Sequence, residues 1–155
     1  MQGGSRLGID AGMPRLFLLL PLLLAACQPG GGANVPGDAD DHRAYDGIGA
    51  DETLRFTGTE PFWGGQVTGG TLTWTTPENI EGTTIAVERF GGRGGLTFSG
   101  TLDGASFDMM VTPAECSDGM SDRTYPFNVT LQLGPETRYG CAWSDARPFT
   151  GLAQP

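Results

Sequence analysis

Phe127-Asn128-Val129-Thr130-Leu131-Gln132-Leu133 puts an apolar side chain at every odd position and a polar one at every even position. Successive side chains of an extended chain point to opposite faces, so a strict period of two means a strand with one face buried and one wet. The same alternation recurs upstream. Leu54 and Phe56 alternate with Thr53, Arg55 and Thr57, and Leu72 and Trp74 with Thr71, Thr73 and Thr75. Ile85 and Val87 follow, then Leu96 and Phe98, then Phe107, Met109 and Val111. Trp63 and Val67 make a weaker early strand, and Tyr139, Cys141 and Trp143 share one face of the last.

Gly69-Gly70, Gly91-Gly92, Gly94-Gly95, Asp103-Gly104 and Gly134-Pro135 fall between these runs. They read as hairpin turns, with Asp103-Gly104 the sharpest two-residue signal. No segment sustains a period of 3.6, so helix is minimal. The count is about eight short strands over roughly 100 residues, joined by tight turns, which makes sequence neighbours antiparallel. Exposed sheet edges invite aggregation and closure removes them. The expected fold is therefore all-β, a small antiparallel barrel or barrel-like sandwich. Eight strands enclose room for side chains or one small ligand. With Phe56, Trp74, Phe98, Phe107, Phe127 and Trp143 all read as inward-facing, the expectation is a filled interior.

Ahead of this domain, Leu16 to Ala26 reads LFLLLPLLLAA behind Arg15. A basic residue, a short apolar run and small residues at its end make a signal-peptide pattern. Spanning a bilayer takes about 20 apolar residues, and this run is shorter and broken by Pro21. Met13-Pro14-Arg15 offers a second, tighter start for it. The ending Leu24-Ala25-Ala26-Cys27 resembles the lipobox of bacterial lipoproteins. The resemblance implies cleavage before Cys27, acylation of Cys27 and attachment to the lipid bilayer through that residue. Gln28 after the cysteine, rather than Asp, implies by the same resemblance the outer membrane, facing the periplasm. The expected organisation is a signal peptide over 1–26, a lipidated cysteine with an acidic tether over 27–51, and a β domain over 52–153. The tether is rich in Gly, Pro and Asp and has little apolar surface to offset its ordering entropy. Asp38, Asp40, Asp41 and His42 within it read as solvated linker rather than as a metal site.

Composition closes other doors. All nine basic residues are Arg, the formal charge is -9, and the one histidine, His42, lies in the tether. Without Lys there is no P-loop and no Schiff-base lysine. The acidic excess disfavours nucleic acid. Without a domain histidine there is no Ser-His-Asp or Cys-His catalysis. The acid/base candidates are Glu60, Asp118 and Asp122, and a paired-carboxylate hydrolase would need two of them converging. No cofactor and no metal is expected. With Cys27 assigned to lipid, Cys116 and Cys141 form an even pair in an oxidising compartment, which reads as a disulfide. A redox pair or nucleophilic thiol is the poorer alternative, because Cys-x-x-Cys and an activating His are both missing.

Three stretches break the alternation: Gly58-Thr59-Glu60-Pro61-Phe62-Trp63, Glu115 to Pro126 (ECSDGMSDRTYP), and Gly140-Cys141-Ala142. Together they resemble an uncharacterised proteobacterial envelope lipoprotein family with GTEPFW-, CxDGMSDxxYP- and GCA-type motifs. Its domain sometimes occurs beside META/HslJ-like domains. In overall plan the chain is also loosely similar to lipoproteins that inhibit c-type lysozyme. Two readings of the motif residues stand side by side. In one they serve the fold, with Trp63 plugging a barrel end and Asp122 and Arg123 capping turns. In the other, Glu60, Phe62, Trp63, Asp122, Arg123 and Tyr125 form a binding patch on one rim, since loops on a rigid scaffold carry recognition. The functional expectation is a noncatalytic, monomeric envelope lipoprotein with a binding or structural β domain and an envelope protein partner. The alternatives are an inhibitor of a basic cell-wall hydrolase and a carboxylate hydrolase.

Overall fold

In the computed structural model, which describes residues 43–152, the alternating run Tyr125–Leu133 is the seventh of eight strands. In chain order these are β1 (Leu54–Thr59), β2 (Phe62–Thr68), β3 (Thr71–Thr76), β4 (Asn79–Gly91), β5 (Leu96–Leu102), β6 (Ala105–Cys116), β7 (Tyr125–Leu133) and β8 (Glu136–Ser144). Each pairs antiparallel with the next, and β8 returns to β1, so the sheet is a closed eight-stranded barrel. Closure leaves no edge in the cylinder to attract another chain. The stretch read as a signal peptide, Cys27, and Asp38 to His42 lie outside the described residues.

The turns follow the local chemistry. Asp103 and Gly104 both take positive φ, 51° and 83°, as the two central residues of a hairpin turn with the right twist require. A turn at Pro77-Glu78 carries no Gly, and the thirteen-residue β4 that follows begins with the poorly alternating Asn79-Ile80-Glu81-Gly82. Its first half, up to Ala86, pairs with β3, and the part from Val87 to Gly91 pairs with β5. One long strand thus serves two neighbours in succession, which is how a staggered barrel closes.

Leu54, Phe56, Trp63, Leu72, Trp74, Leu96, Phe98, Phe107, Met109, Val111, Phe127, Val129 and Leu131 fill the interior. Trp63 stacks on Trp74 with ring centroids 5.2 Å apart, and Phe56 and Phe107 lie against this pair. One assignment is corrected. Tyr139, Cys141 and Trp143 do share a face, but it is the outer one: Trp143 packs outside with Tyr125, Phe149 and the Cys116–Cys141 disulfide. Opposite Trp63 the inner face of β8 carries only Ala142 and Gly140, which leave room for its large indole, while Arg138 further along that face lies over Trp74. A further correction concerns the tether. Ile48 is 2% exposed and joins the core, its carbonyl accepts from Arg89 Nη2, and the Tyr45 N–H donates to Gly92 O. The folded unit therefore begins before residue 52.

Candidate functional site

The three stretches that interrupt the alternation meet along one line, the seam between β1 and β8. The ladder there runs from Leu54↔Ser144 to Thr57↔Cys141 and then stops, although β1 continues to Thr59 and β8 begins as early as Glu136. Inside the barrel, the indole of Trp63 covers this stretch. A Cβ added at Gly58 would overlap Trp63 Nε1, and one added at Gly140 would lie 2.9 Å from Trp63 Cζ2 and overlap Thr57 O. Only glycine permits so close an approach of ring and backbone. Trp63 is 3% exposed, and its Nε1–H has no hydrogen-bond partner among the described residues.

Outside the barrel the same seam is covered by the connection between β6 and β7. The Cys116–Cys141 disulfide fastens it to β8, with Cα atoms 5.6 Å apart. Asp118 organises the rest. Its Oδ1 accepts the N–H groups of Met120 (3.0 Å) and Ser121 (2.8 Å), and its Oδ2 accepts the hydroxyls of Ser121 (2.8 Å) and Tyr125 (3.0 Å). Burial opposes ionisation of this carboxyl, but the four hydrogen bonds outweigh it and hold the group down at about 2. Thr59 Oγ1 donates to the Asp118 carbonyl (3.4 Å), tying the β1–β2 turn to this loop.

The six residues of the expected rim patch are thereby separated. Glu60 and Phe62 are exposed on the β1–β2 turn, with Phe62 at 53%, beside the cis Glu60–Pro61 peptide. Trp63 belongs to the core, and Tyr125 is buried in the outer cluster with its hydroxyl committed to Asp118. Arg123 stacks on Phe149 at 4.2 Å. Asp122 is exposed, and the turn-capping role expected of it is performed by Asp118 instead. The reason is register: only the first aspartate of Asp118-Gly-Met-Ser-Asp122 has N–H groups two and three residues ahead within reach, which is the Asx-turn geometry. Asp118 stands second after Cys116 and ahead of a glycine, and that Asx-Gly pattern is the signal that could have singled it out.

Between β1, β7, β8 and the roofing loop lies a cleft of about 480 Å3, lined by Thr57, Thr59, Asn128, Thr130, Tyr139 and the Ser117–Asp118 segment, with Gly58 and Gly140 in its floor. A second, shallower depression lies on the outer face of β1–β3, between Phe62, Ile80 and Trp143. Among the described residues no three His, Cys, Asp or Glu side chains come together as a metal ion would need. No family model, curated protein or solved structure matches the chain.

Proposed function

We propose that the chain is a monomeric lipoprotein of the cell envelope, held in the outer membrane through acylated Cys27 and facing the periplasm, whose barrel is a noncatalytic binding domain. The anchor rests on Leu24-Ala25-Ala26-Cys27 at the end of a short apolar run, and on the resemblance of the three motif stretches to envelope lipoproteins. One observation carries the noncatalytic part. Among the described residues Asp118 is the one carboxylate lining the seam cleft, and it spends both oxygens on its own loop, so no pair of free carboxylates converges there. The motif residues go into building a braced seam with a cleft over it, a rigid platform of the kind that carries recognition.

Metabolic labelling with palmitate tests the anchor. The wild-type chain takes up label and fractionates with the outer membrane, whereas Cys27→Ala remains an unprocessed, unlabelled precursor. Label that persists in Cys27→Ala overturns the anchor. Co-purification of the tagged full chain from envelope extract tests the partner: a stoichiometric envelope protein is expected, and its repeated absence overturns that part.

A further inference from the structure

The seam cleft is more than a flaw in the ladder. Its wall is made of neutral hydrogen-bonding side chains, Thr57, Thr59, Asn128 and Thr130. The one charged residue in its lining, Asp118, already uses both carboxylate oxygens internally. The cleft thus offers nothing to neutralise a charged ligand, and burying an unpaired charge there would be costly. Hydroxyls and a primary amide both donate and accept, so they suit a partner that does the same. Tyr139, 71% exposed on the outer face of β8, adds an aromatic surface at one side. Beneath the floor, on the inner side of Gly58 and Gly140, the Trp63 indole packs directly against the two glycines where the β1–β8 ladder has stopped. The backbone of the two glycines separates the ring from the cleft, so the indole N–H senses a ligand resting on the floor without bonding to it.

We infer that this cleft binds a neutral saccharide, with hydroxyls meeting Thr57, Thr59, Asn128 and Thr130 and a ring face lying on Tyr139. Its volume falls within the roughly 300–1,000 Å3 of small-molecule sites. The Ser117–Asp118 roof, pinned by the disulfide, closes the outer side, which favours a short, compact ligand over an added peptide strand. The inference rests on the reading of the barrel as a binding domain and is independent of the anchor at Cys27.

The test follows the three tryptophan indole N–H signals of the 15N-labelled full chain by NMR. The chain is held in zwitterionic detergent without a sugar headgroup and titrated with maltotriose and, separately, with chitotriose. The expected result is a saturable movement of the Trp63 signal with at least one of the two, larger than that of Trp74 or Trp143. Tyr139→Ala should weaken the affinity by about tenfold or more, with the three indole signals of the free protein otherwise in place. Trp63→Phe should keep an aromatic ring and remove the reporter, which assigns the signal, and Asn128→Ala is the second binding variant should Tyr139→Ala not fold. A Trp63 signal that neither saccharide moves up to solubility overturns the inference, as does unchanged affinity in both Tyr139→Ala and Asn128→Ala. Palmitate labelling is untouched by any of these outcomes, so failure of the cleft and failure of the anchor are told apart.

Discussion

Replacing Asp118 by asparagine removes one charge and keeps the shape, and its consequence depends on pH in a way that can be worked out. The carboxyl has an ordinary value of 3.8 and sits at about 2 in the folded chain. A group whose folded value is depressed adds stability that is fully present above 3.8 and disappears as pH falls through about 2. Linkage at about 1.4 kcal/mol per tenfold gives an upper figure of ~2.4 kcal/mol. Asp118 is only partly buried in a largely exposed loop, so solvent screening reduces this to about 1–2 kcal/mol. The substituted amide would still accept from the Met120 and Ser121 N–H groups through its oxygen, but its nitrogen would face the two hydroxyls that now donate to Oδ2. Urea unfolding of wild type and Asp118→Asn at a series of pH values, with the disulfide intact, is the assay. Using the pair as its own control cancels every other carboxylate. The wild-type advantage should be about 1–2 kcal/mol near pH 7, a midpoint difference of roughly 1 M urea, and should fade toward about pH 2. A difference that stays constant across that range would refute the argument, because it would mean that Asp118 contributes shape and not ionised hydrogen bonding.

Three other perturbations bear on the seam and the core. Reducing or mutating Cys116–Cys141, whose positions are separated by 25, should lower stability by about 3.5 kcal/mol in the chain-entropy account, read as the unfolding difference with and without reductant; no difference would remove the staple from the fold. Gly140→Ala drives a carbon into Thr57 O and should cost at least about 1–3 kcal/mol. Gly92→Ala meets nothing nearer than 3.6 Å and serves as the mild control, so equal losses of Tm would contradict the close approach at Gly140. Ile48→Ala should cost about 2–5 kcal/mol if residues ahead of β1 belong to the core, and an unchanged Tm would return that stretch to the tether.

The strands were legible to the degree that one face was buried and the other wet. β7 alternates cleanly from Phe127 to Leu131 because its odd positions there enter the core and its even positions do not. The Asp103-Gly104 turn was legible because few other pairs tolerate two positive φ values. The start of β4 was not legible: its residues lie near the rim, where neither face is buried enough to select apolar side chains. Ile48 was masked by its Gly- and Asp-rich surroundings, since a single apolar residue that plugs a barrel end has no period.

Sequence by itself determined the class of the fold, its approximate strand number, its Gly-containing hairpin turns and the pairing of the two domain cysteines, because these follow from local alternation, turn chemistry and parity. It could not decide which side of β8 is the inside. Alternation reports two faces and does not say which is core, and here the outer face is apolar too because a disulfide-pinned loop and Phe149 cover it. Nor could it separate Asp118 from Asp122, or place Trp63 behind a seam floored by Gly58 and Gly140. Those are contacts between segments distant along the chain, and only closure of the barrel brings them together.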